Sequence, residues 1–124
     1  MKNWHILVIE DEPDGQEVFS RILSYFAVKT DTVDTAEDAL SLLKQNQYTA
    51  VISDLALPGM DGIELINLLR NDPKTAHLPC VATTAYHSSL VKQQALEAGF
   101  DAYFPKPLDD TTFIRELERI IARP

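Results

Sequence analysis

The order of sequence patterns predicts an α/β protein with one doubly wound parallel sheet of five strands and helices on both faces. Five short apolar runs of strand length alternate with segments whose apolar residues recur at helical spacing. Strands that alternate with helices form right-handed parallel crossovers, which place helices on both faces of a single sheet. Because 124 residues is within the usual size of one domain, we expect a single domain over residues 1–124.

Each predicted strand is identified by its length and apolar content. Several of the runs are almost continuously apolar, which is typical of strands covered on both faces. In the second run Lys29 and Asp31 alternate with other residues, so we place that strand at an edge of the sheet. The five runs are Trp4–Ile9, Val28–Val33, Thr49–Ser53, Leu78–Thr83 and Phe100–Phe104.

Apolar spacing predicts the helices. One segment carries apolar residues at positions i, i+3, i+4 and i+7, a later segment continues this pattern, and a final helix beginning near Asp110 has four apolar residues on one face. These spacings predict amphipathic helices that pack against the sheet. In that order the residues are Ala36, Ala39, Leu40 and Leu43; Val91, Ala95 and Ala98; and Phe113, Leu117, Ile120 and Ile121.

Helix ends are predicted from a few single residues. Gly99 suits a left-handed position after a helix, and Pro73 predicts that another helix ends before it. Three residue pairs place a side-chain acceptor before the first turn and an acid three residues later, which predicts a helix start. The pairs are Asp14 with Glu17, Thr35 with Asp38, and Asp61 with Glu64.

Composition restricts the class of protein. The single cysteine, Cys80, lies in an apolar stretch, so we expect a buried thiol in a reduced, cytoplasmic protein. No apolar run is long enough to span a bilayer, and the N-terminus lacks a signal-peptide pattern. The formal net charge of −8 argues against nucleic-acid binding. We therefore expect neither direct nucleic-acid binding nor membrane binding by this domain.

Acidic residues follow two of the predicted strands. Glu10, Asp11 and Glu12 come directly after the first run, and Asp54 comes directly after the third. Open α/β sheets bind ligands beyond the carboxyl ends of their strands, so neighbouring first and third strands would bring these carboxylates into one crevice. Crowded carboxylates destabilise a fold unless a cation compensates them, and oxygen ligands suit Mg²⁺. On these residues alone, a solvated acidic turn in which Asp11 or Asp14 caps a helix stays open.

The ends of the fourth and fifth strands add a hydroxyl and a cation. Thr83 and Thr84 lie at the end of the fourth run, and Lys106 follows the fifth between two prolines. A phosphoryl group needs a fixed cation and a hydroxyl donor around it. Acids, a hydroxyl and a lysine at four strand ends therefore favour a phosphoryl site over a solvated turn. The three histidines have no metal-ligand spacing, so we interpret them as surface or packing residues.

Four segments carry a more specific pattern. They are Ile9–Pro13 (IEDEP), Asp54–Gly62 (DLALPGMDG), Thr84–Ala85 and Lys106–Pro107. Together they resemble the motif set of bacterial two-component response-regulator receiver domains of the chemotaxis-regulator type. The match covers the whole chain in the correct order, and the DLALPGMDG stretch is strongly diagnostic. The resemblance implies a (βα)5 receiver domain over residues 1–124 with the flavodoxin-like strand order 2-1-3-4-5.

The resemblance also implies which residues bind the phosphoryl group and the metal ion. Asp54 would be the phosphoacceptor and a metal ligand. Glu10 and Asp11 would be metal-binding acids, and the backbone carbonyl of Ala56 a further metal ligand. The ion would be Mg²⁺, with Mn²⁺ as an alternative.

Three more residues match the switch of the family. Thr84 would be the switch hydroxyl that moves onto the phosphoryl group, and small Ala85 leaves room for that movement. Lys106 would be the cationic partner of the phosphoryl group and would precede a cis peptide bond to Pro107. Tyr103, three residues before the lysine, matches the switch aromatic. From composition alone, Tyr103 would be an ordinary packing residue of a strand.

The family mechanism implies the partners. The phosphoryl donor would be a phosphohistidine on a sensor histidine kinase or phosphotransfer protein, or a small phosphodonor. Phosphorylation would shift a two-state equilibrium at the face formed by the fourth helix, fifth strand and fifth helix. That face would bind a downstream protein target or a second copy of the chain. The chain would support only its own phosphotransfer and autodephosphorylation, and would not be a turnover enzyme.

The chain departs from the family pattern at four positions. Glu10 stands where aspartate is commoner, and its extra methylene lets it reach the ion directly or through water. Leu57 stands where methionine is frequent, an exchange that conserves volume. Ala56 and Tyr86 occupy positions whose side chains flank the phosphoryl group, so we expect them to tune the lifetime of the phosphorylated state.

Three alternative functions fit parts of this pattern. A receiver that acts only as a protein-interaction module would normally have lost Asp54, Thr84 or Lys106, and all three are present. An aspartyl-phosphate phosphatase or phosphotransferase typically needs a second acid two residues after the nucleophile, where this chain has Ala56. A flavin-binding protein of the same topology needs a hydroxyl- and glycine-rich loop after the first strand, whereas the acidic loop found there would repel phosphate.

Overall fold

Strands and helices alternate along residues 3–122, the part of the chain that this computed structural model describes. The four terminal residues of the predicted domain, Met1, Lys2, Arg123 and Pro124, lie outside it. No helix described between residues 3 and 122 combines the length and apolar character needed to cross a membrane. The elements in chain order are β1 (His5–Ile9), α1 (Pro13–Tyr25), β2 (Lys29–Val33), α2 (Ala36–Gln45), β3 (Ala50–Asp54), α3 (Gly62–Asn71), β4 (Cys80–Thr84), α4 (Ser89–Ala98), β5 (Ala102–Pro105) and α5 (Asp110–Ile121).

The five strands form one parallel sheet in the order β2-β1-β3-β4-β5. Strand β1 pairs on both sides, so that Ile9 lies beside Val33 in β2 and beside Ser53 in β3. Strand β3 also pairs with β4, where Asp54 lies beside Thr83. Strand β2 lies at the edge, as its alternating polar residues predicted. The predicted doubly wound sheet with strand order 2-1-3-4-5 is confirmed.

Apolar side chains fill a layer on each face of the sheet. Because successive residues of a strand point to opposite faces, Leu7 and Ile9 of β1 lie in one layer and Ile6 and Val8 in the other. Helices α2, α3 and α4 cover the first layer, and α1 and α5 cover the second. Their buried residues include Ala36, Ala39, Leu65, Ile66, Leu69 and Ala95 in the first layer, and Phe19, Ile22, Leu23, Phe113, Leu117 and Ile120 in the second.

Two of the three predicted helix starts are confirmed. The Thr35 hydroxyl oxygen accepts a hydrogen bond of 3.0 Å from the backbone N–H of Asp38. Asp61 and Glu64 form a reciprocal capping box at the start of α3. Gly99 follows α4 with a φ of +126°, a conformation that costs glycine little and other residues much. Local sequence therefore decides these helix ends.

The predicted helix start at Asp14 is wrong. Helix α1 begins at Pro13, and Glu12 occupies the N-cap position without a side-chain hydrogen bond. Proline is favoured at the first helical position because its fixed φ suits the helix and the N–H there has no helical partner. Asp14 lies inside the first turn, where its charge complements the helix dipole. The predicted end of α3 before Pro73 is confirmed, since that helix ends at Asn71.

The strand boundaries differ from the predicted ones by one or two residues. All five strands begin later than predicted, and β3, β4 and β5 extend one residue farther. Strand β3 thus ends at Asp54 and β4 at Thr84. Pairing explains the extension, because Asp54 lies beside Thr83 and the N–H of Leu55 donates to the Thr83 carbonyl at 3.0 Å. Asp54 and Thr84 are therefore held within the sheet and not in the loops that follow it.

Cys80 is buried, as predicted, at the start of β4. Its thiol donates to the Leu78 carbonyl at 3.2 Å, and burial raises the pKa of the thiol to about 12. Because the thiolate is the reactive form, we expect the native protein to react with a thiol reagent far more slowly than the urea-unfolded protein. A colorimetric time course of labelling measures both rates. Equal rates would contradict the buried position of Cys80.

Candidate functional site

Three carboxylates meet at the carboxyl ends of β1 and β3. Glu10 follows β1, Asp11 is the next residue, and Asp54 is the last residue of β3. One oxygen of each carboxylate lies within 4.8 Å of the others. Glu10 and Asp54 are buried, whereas Asp11 is exposed. The structure therefore brings together three of the four acids predicted at this sheet edge, whereas Glu12 occupies the N-cap position of α1.

The Lys106 side chain reaches across the sheet edge to two of these acids. Lys106 follows β5, and its backbone N–H donates to the Thr84 carbonyl at 2.8 Å. Its Nζ donates to Asp54 Oδ2 at 2.9 Å and also to Glu10 Oε1. The peptide bond between Lys106 and Pro107 is cis, as the family resemblance implied. The ammonium thus compensates part of the negative charge of the acidic cluster.

Glu10 is a fully buried carboxylate. Besides the bond from Lys106, its Oε2 accepts a long hydrogen bond of 3.4 Å from the N–H of Glu12. Burial raises the pKa of Glu10, the hydrogen bond from Lys106 opposes that rise, and the charge of Asp54 adds to it. Burial alone lowers the pKa of Lys106, but its hydrogen bonds to the two acids outweigh burial and raise it. Lys106 therefore stays positively charged beside the acids.

Hydrogen bonds hold both carboxylate oxygens of Asp54. Oδ1 accepts from the N–H of Ala56 at 3.0 Å, and Oδ2 accepts from Lys106. The Asp54 side chain is 8% exposed. Because a carboxylate offers about four acceptor positions, each oxygen keeps one for a ligand. The arrangement supplies a fixed, nearly buried nucleophilic oxygen with a cation beside it.

Thr84 and Tyr103 lie on the two strands beyond β3. The buried Thr84 hydroxyl oxygen accepts a hydrogen bond of 3.0 Å from the N–H of Tyr86. A hydrogen bond of 2.9 Å joins the Tyr103 hydroxyl to Nδ1 of His87, and the two rings lie 5.5 Å apart. Tyr103 is thus connected to the segment that leads into α4. No sequence pattern identifies His87 as a partner of Tyr103.

Gln16, like His87, lies near the site and was not predicted from the sequence. Its Nε2 donates to the Glu10 carbonyl at 2.6 Å and to Asp34 Oδ1 at 2.7 Å. These bonds connect the loop after β1 to the loop after β2. A glutamine in the first turns of a helix has no motif that would have identified it, because its partners come from two separate loops.

The positions that depart from the family pattern differ in burial. Leu57 is buried and contributes to the first core layer, as a volume-conserving exchange for methionine requires. Ala56 is exposed, and the Tyr86 side chain is 75% exposed. Ala56 lies two positions after Asp54, and Tyr86 lies two positions after Thr84.

The chain belongs to the response regulator receiver domain family, whose family model matches residues 6–118. It is 30% identical to Chemotaxis protein CheY-3 of Vibrio cholerae over 123 residues, 98% of this chain and 95% of that protein. It is also similar to the crystal structure of a candidate response regulator from Chloroflexus aurantiacus J-10-fl, with a TM-score of 0.94 and 29% identity over 98% of this chain and 100% of that chain.

A third comparison concerns a receiver structure with a metal ion. The receiver domain of sensor histidine kinase PA1611 from Pseudomonas aeruginosa PAO1 has magnesium coordinated in its active-site cleft. It is 26% identical to this chain, with a TM-score of 0.90 over 98% of this chain and 100% of that one. Fold, acidic cluster and family membership together define the protein as a receiver domain of two-component signalling.

Proposed function

We propose that this chain is a phosphorylation-dependent switch in which Asp54 accepts a phosphoryl group. The observation that carries the proposal is the Asp54 carboxylate at the end of β3, with Lys106 Nζ 2.9 Å from one oxygen and two further acids beside it. A carboxylate next to a fixed cation is a suitable nucleophile for forming an acyl phosphate. The donor is a phosphohistidine of a sensor kinase or phosphotransfer protein, or a small phosphodonor.

The donor set of the acidic cluster fits Mg²⁺. Only oxygen ligands are present, and three carboxylates with one ammonium leave two net negative charges for a divalent ion to neutralise. Glu10, Asp11, Asp54 and the carbonyl of Ala56 would hold the ion, with Mn²⁺ as an alternative. Bound there, the ion would supply charge neutralisation for the transferred phosphoryl group. The magnesium in the PA1611 receiver supports this assignment.

The residues of the chain perform the transfer mainly by positioning and charge neutralisation. A carboxylate oxygen of Asp54 attacks phosphorus, so a P–O bond forms while the P–N bond to the donor histidine breaks. The electron pair of that bond stays on the imidazole nitrogen, which then takes a proton from water. Lys106 is placed to neutralise a phosphoryl oxygen, because its Nζ already contacts the carboxylate that is attacked.

We further propose that Thr84 and Tyr103 convert phosphorylation into a change of surface. The Thr84 hydroxyl, which accepts from the N–H of Tyr86, can turn to donate to a phosphoryl oxygen. Tyr103 would then exchange its bond with His87 for the space that Thr84 leaves. This shifts a two-state equilibrium at the α4-β5-α5 face, where the 40% exposed Leu96 lies beside Tyr103.

That α4-β5-α5 face would bind a downstream protein target or a second copy of this chain, as the family resemblance implied. The net charge of −8 favours protein partners over direct contact with nucleic acid. We place the exchange with the kinase in the cytoplasm, without membrane contact by this domain. The chain would catalyse only its own phosphorylation and dephosphorylation, since position 56 carries alanine where a phosphatase needs an acid.

Incubation with acetyl phosphate and MgCl₂ tests the proposed phosphoacceptor. We expect the mass of the protein to increase by one phosphoryl group, measured by intact-mass spectrometry and phosphate-affinity electrophoresis. Asp54→Asn should abolish the product, while Asp72→Asn, at an exposed position, should leave it unchanged. A phosphorylated Asp54→Asn protein would place the phosphoacceptor elsewhere, and an unreactive wild-type protein would favour an interaction-only receiver.

Tyr103, and not Trp4, is the aromatic residue to follow when the switch is tested with beryllofluoride. Trp4 precedes β1 at the amino end of the sheet, and the five residues of β1 put roughly 16 Å of strand between it and the acidic cluster. Tyr103 contacts His87 near the candidate site. Ring resonances of Tyr103 should therefore change on activation, and those of Trp4 should not.

A further inference from the structure

Glu10 occupies an unusual place for a carboxylate that would bind a metal ion. Its side chain is completely buried and lies against the first turn of α1. The longer side chain of glutamate, compared with aspartate, needs volume that the protein must provide.

Gly15, in the first turn of α1, is the residue against which Glu10 packs. A Cβ atom at position 15 would lie 2.5 Å from Glu10 Oε1, 2.7 Å from Cδ and 2.9 Å from Cγ. These distances are far shorter than van der Waals contact, and they involve the whole end of the Glu10 side chain. Any other residue at position 15 must therefore displace the carboxylate of Glu10.

The backbone conformation does not require glycine at position 15. Gly15 lies within a regular helix and has no positive φ, so its conformational freedom is not used. Glycine within a helix is destabilising relative to alanine. What glycine contributes at this position is the absence of a side chain next to Glu10.

We propose that Gly15 is a positioning residue that fixes the carboxylate of Glu10 in the acidic cluster. The space over Gly15 lets the longer acid fold back, so that Oε1 receives the bond from Lys106 and the carboxylate lies beside Asp54 and Asp11. Glu10 therefore requires glycine at position 15. An aspartate at position 10 is shorter and would not require it. The consequence for Mg²⁺ binding rests on the proposed function, whereas the packing of the pair does not.

A double-mutant cycle without metal tests the pairing. We compare the thermal midpoints of wild type, Gly15→Ala, Glu10→Asp and the double variant in EDTA. Gly15→Ala should lower the midpoint by about 5 °C when residue 10 is glutamate. In the Glu10→Asp background the same substitution should raise the midpoint, because the clash is gone and alanine favours the helix. Ser20→Ala, at an exposed position of α1, should change the midpoint by the same amount with glutamate or aspartate at position 10.

Calorimetric titration with MgCl₂ tests the consequence for the site. Gly15→Ala should weaken Mg²⁺ binding roughly tenfold, a typical cost of disturbing a group that orients a metal ligand. The double variant should bind as tightly as Glu10→Asp alone. An effect of Gly15→Ala that is the same in both backgrounds, on the midpoint and on binding, would overturn the proposal. If no variant binds Mg²⁺ but the effect of Gly15→Ala on the midpoint changes sign between the two backgrounds, the pairing stands and the proposed metal site fails.

Discussion

Replacing Lys106 with methionine is expected to lower the free energy of unfolding by about 3 kcal/mol in the absence of Mg²⁺. Nζ of Lys106 contacts both Glu10 and Asp54, whose side chains are 0% and 8% exposed. Without the ammonium, two nearly buried carboxylates face each other with no opposite charge. Methionine keeps most of the apolar stem, so the decrease in the free energy of unfolding measures the contribution of the charge and its hydrogen bonds.

Mg²⁺ should recover part of this stability. A ligand that binds only the folded state stabilises it according to its concentration relative to the dissociation constant. Because the acids of the Lys106→Met variant lack their internal cation, its unfolding should depend more strongly on Mg²⁺ than that of the wild type. Urea unfolding followed by circular dichroism, with EDTA or with MgCl₂, measures both effects.

The matched control is Lys74→Met, which removes the same charge from an exposed position. Its unfolding free energy should change by less than about 0.5 kcal/mol. Equal losses in the two variants would show that Lys106 stabilises the fold only through net charge. Lys106→Met should also fail to produce the Tyr103 response to beryllofluoride, because the ammonium that would contact the phosphoryl analogue is missing.

The second large effect is expected for Arg70→Met, which should lower the free energy of unfolding by about 3 kcal/mol. Arg70, near the end of α3, donates hydrogen bonds to the carbonyls of Gly99, Ala76 and Leu78 at 3.0, 3.1 and 2.7 Å. It also forms an ion pair of 3.0 Å with Asp101. One side chain therefore connects α3 to the end of α4, to the loop before β4 and to Asp101 just before β5.

Methionine at position 70 would leave these acceptors without the guanidinium. The bonds to the Gly99 and Leu78 carbonyls are partly buried, so these two acceptors would lose a donor that water replaces only in part. The Asp101 carboxylate also holds β4, since its Oδ2 accepts from the N–H of Cys80 at 2.8 Å. Loss of Arg70 should therefore loosen the start of β4 as well as the end of α4.

Arg119→Met is the control for Arg70→Met. Arg119 forms an exposed pair with Glu116 three residues earlier in α5, and such pairs contribute little to stability. Urea unfolding of both variants gives the free energies, and hydrogen exchange shows which amides lose protection. We expect the Arg70→Met variant to lose protection at the amide of Cys80. Unfolding free energies that agree within error between the two variants would be inconsistent with this role of Arg70.

Much of the fold follows from local properties of the sequence. Strand-length apolar runs and helical spacing predicted the alternation of elements, because burial of apolar residues imposes these periods on neighbouring residues. Thr35 and Asp61 predicted helix starts correctly, since a cap satisfies backbone groups only three residues away. The start at Asp14 was wrong because the preceding proline took the first helical position.

The exact ends of the strands could not be predicted from local sequence. Asp54 belongs to β3 because the neighbouring strand β4 pairs with it, and β4 comes from a distant part of the chain. Strand pairing is a long-range interaction, so the residues next to Asp54 in the sequence do not predict it. The same holds for Tyr103, whose bond to His87 depends on how β5 lies beside the segment before α4.

The candidate acidic site was also predictable only in part from the sequence. The sequence predicted that Glu10, Asp11, Asp54 and Lys106 lie at the ends of parallel strands, and parallel strands direct their carboxyl ends to one edge. The three-dimensional structure was needed to show that Lys106 bonds both Glu10 and Asp54 and that Gly15 leaves room for Glu10. Lys106 and Glu10 are 96 residues apart. Contacts over that separation depend on side-chain reach and packing volume, which the order of residues does not specify.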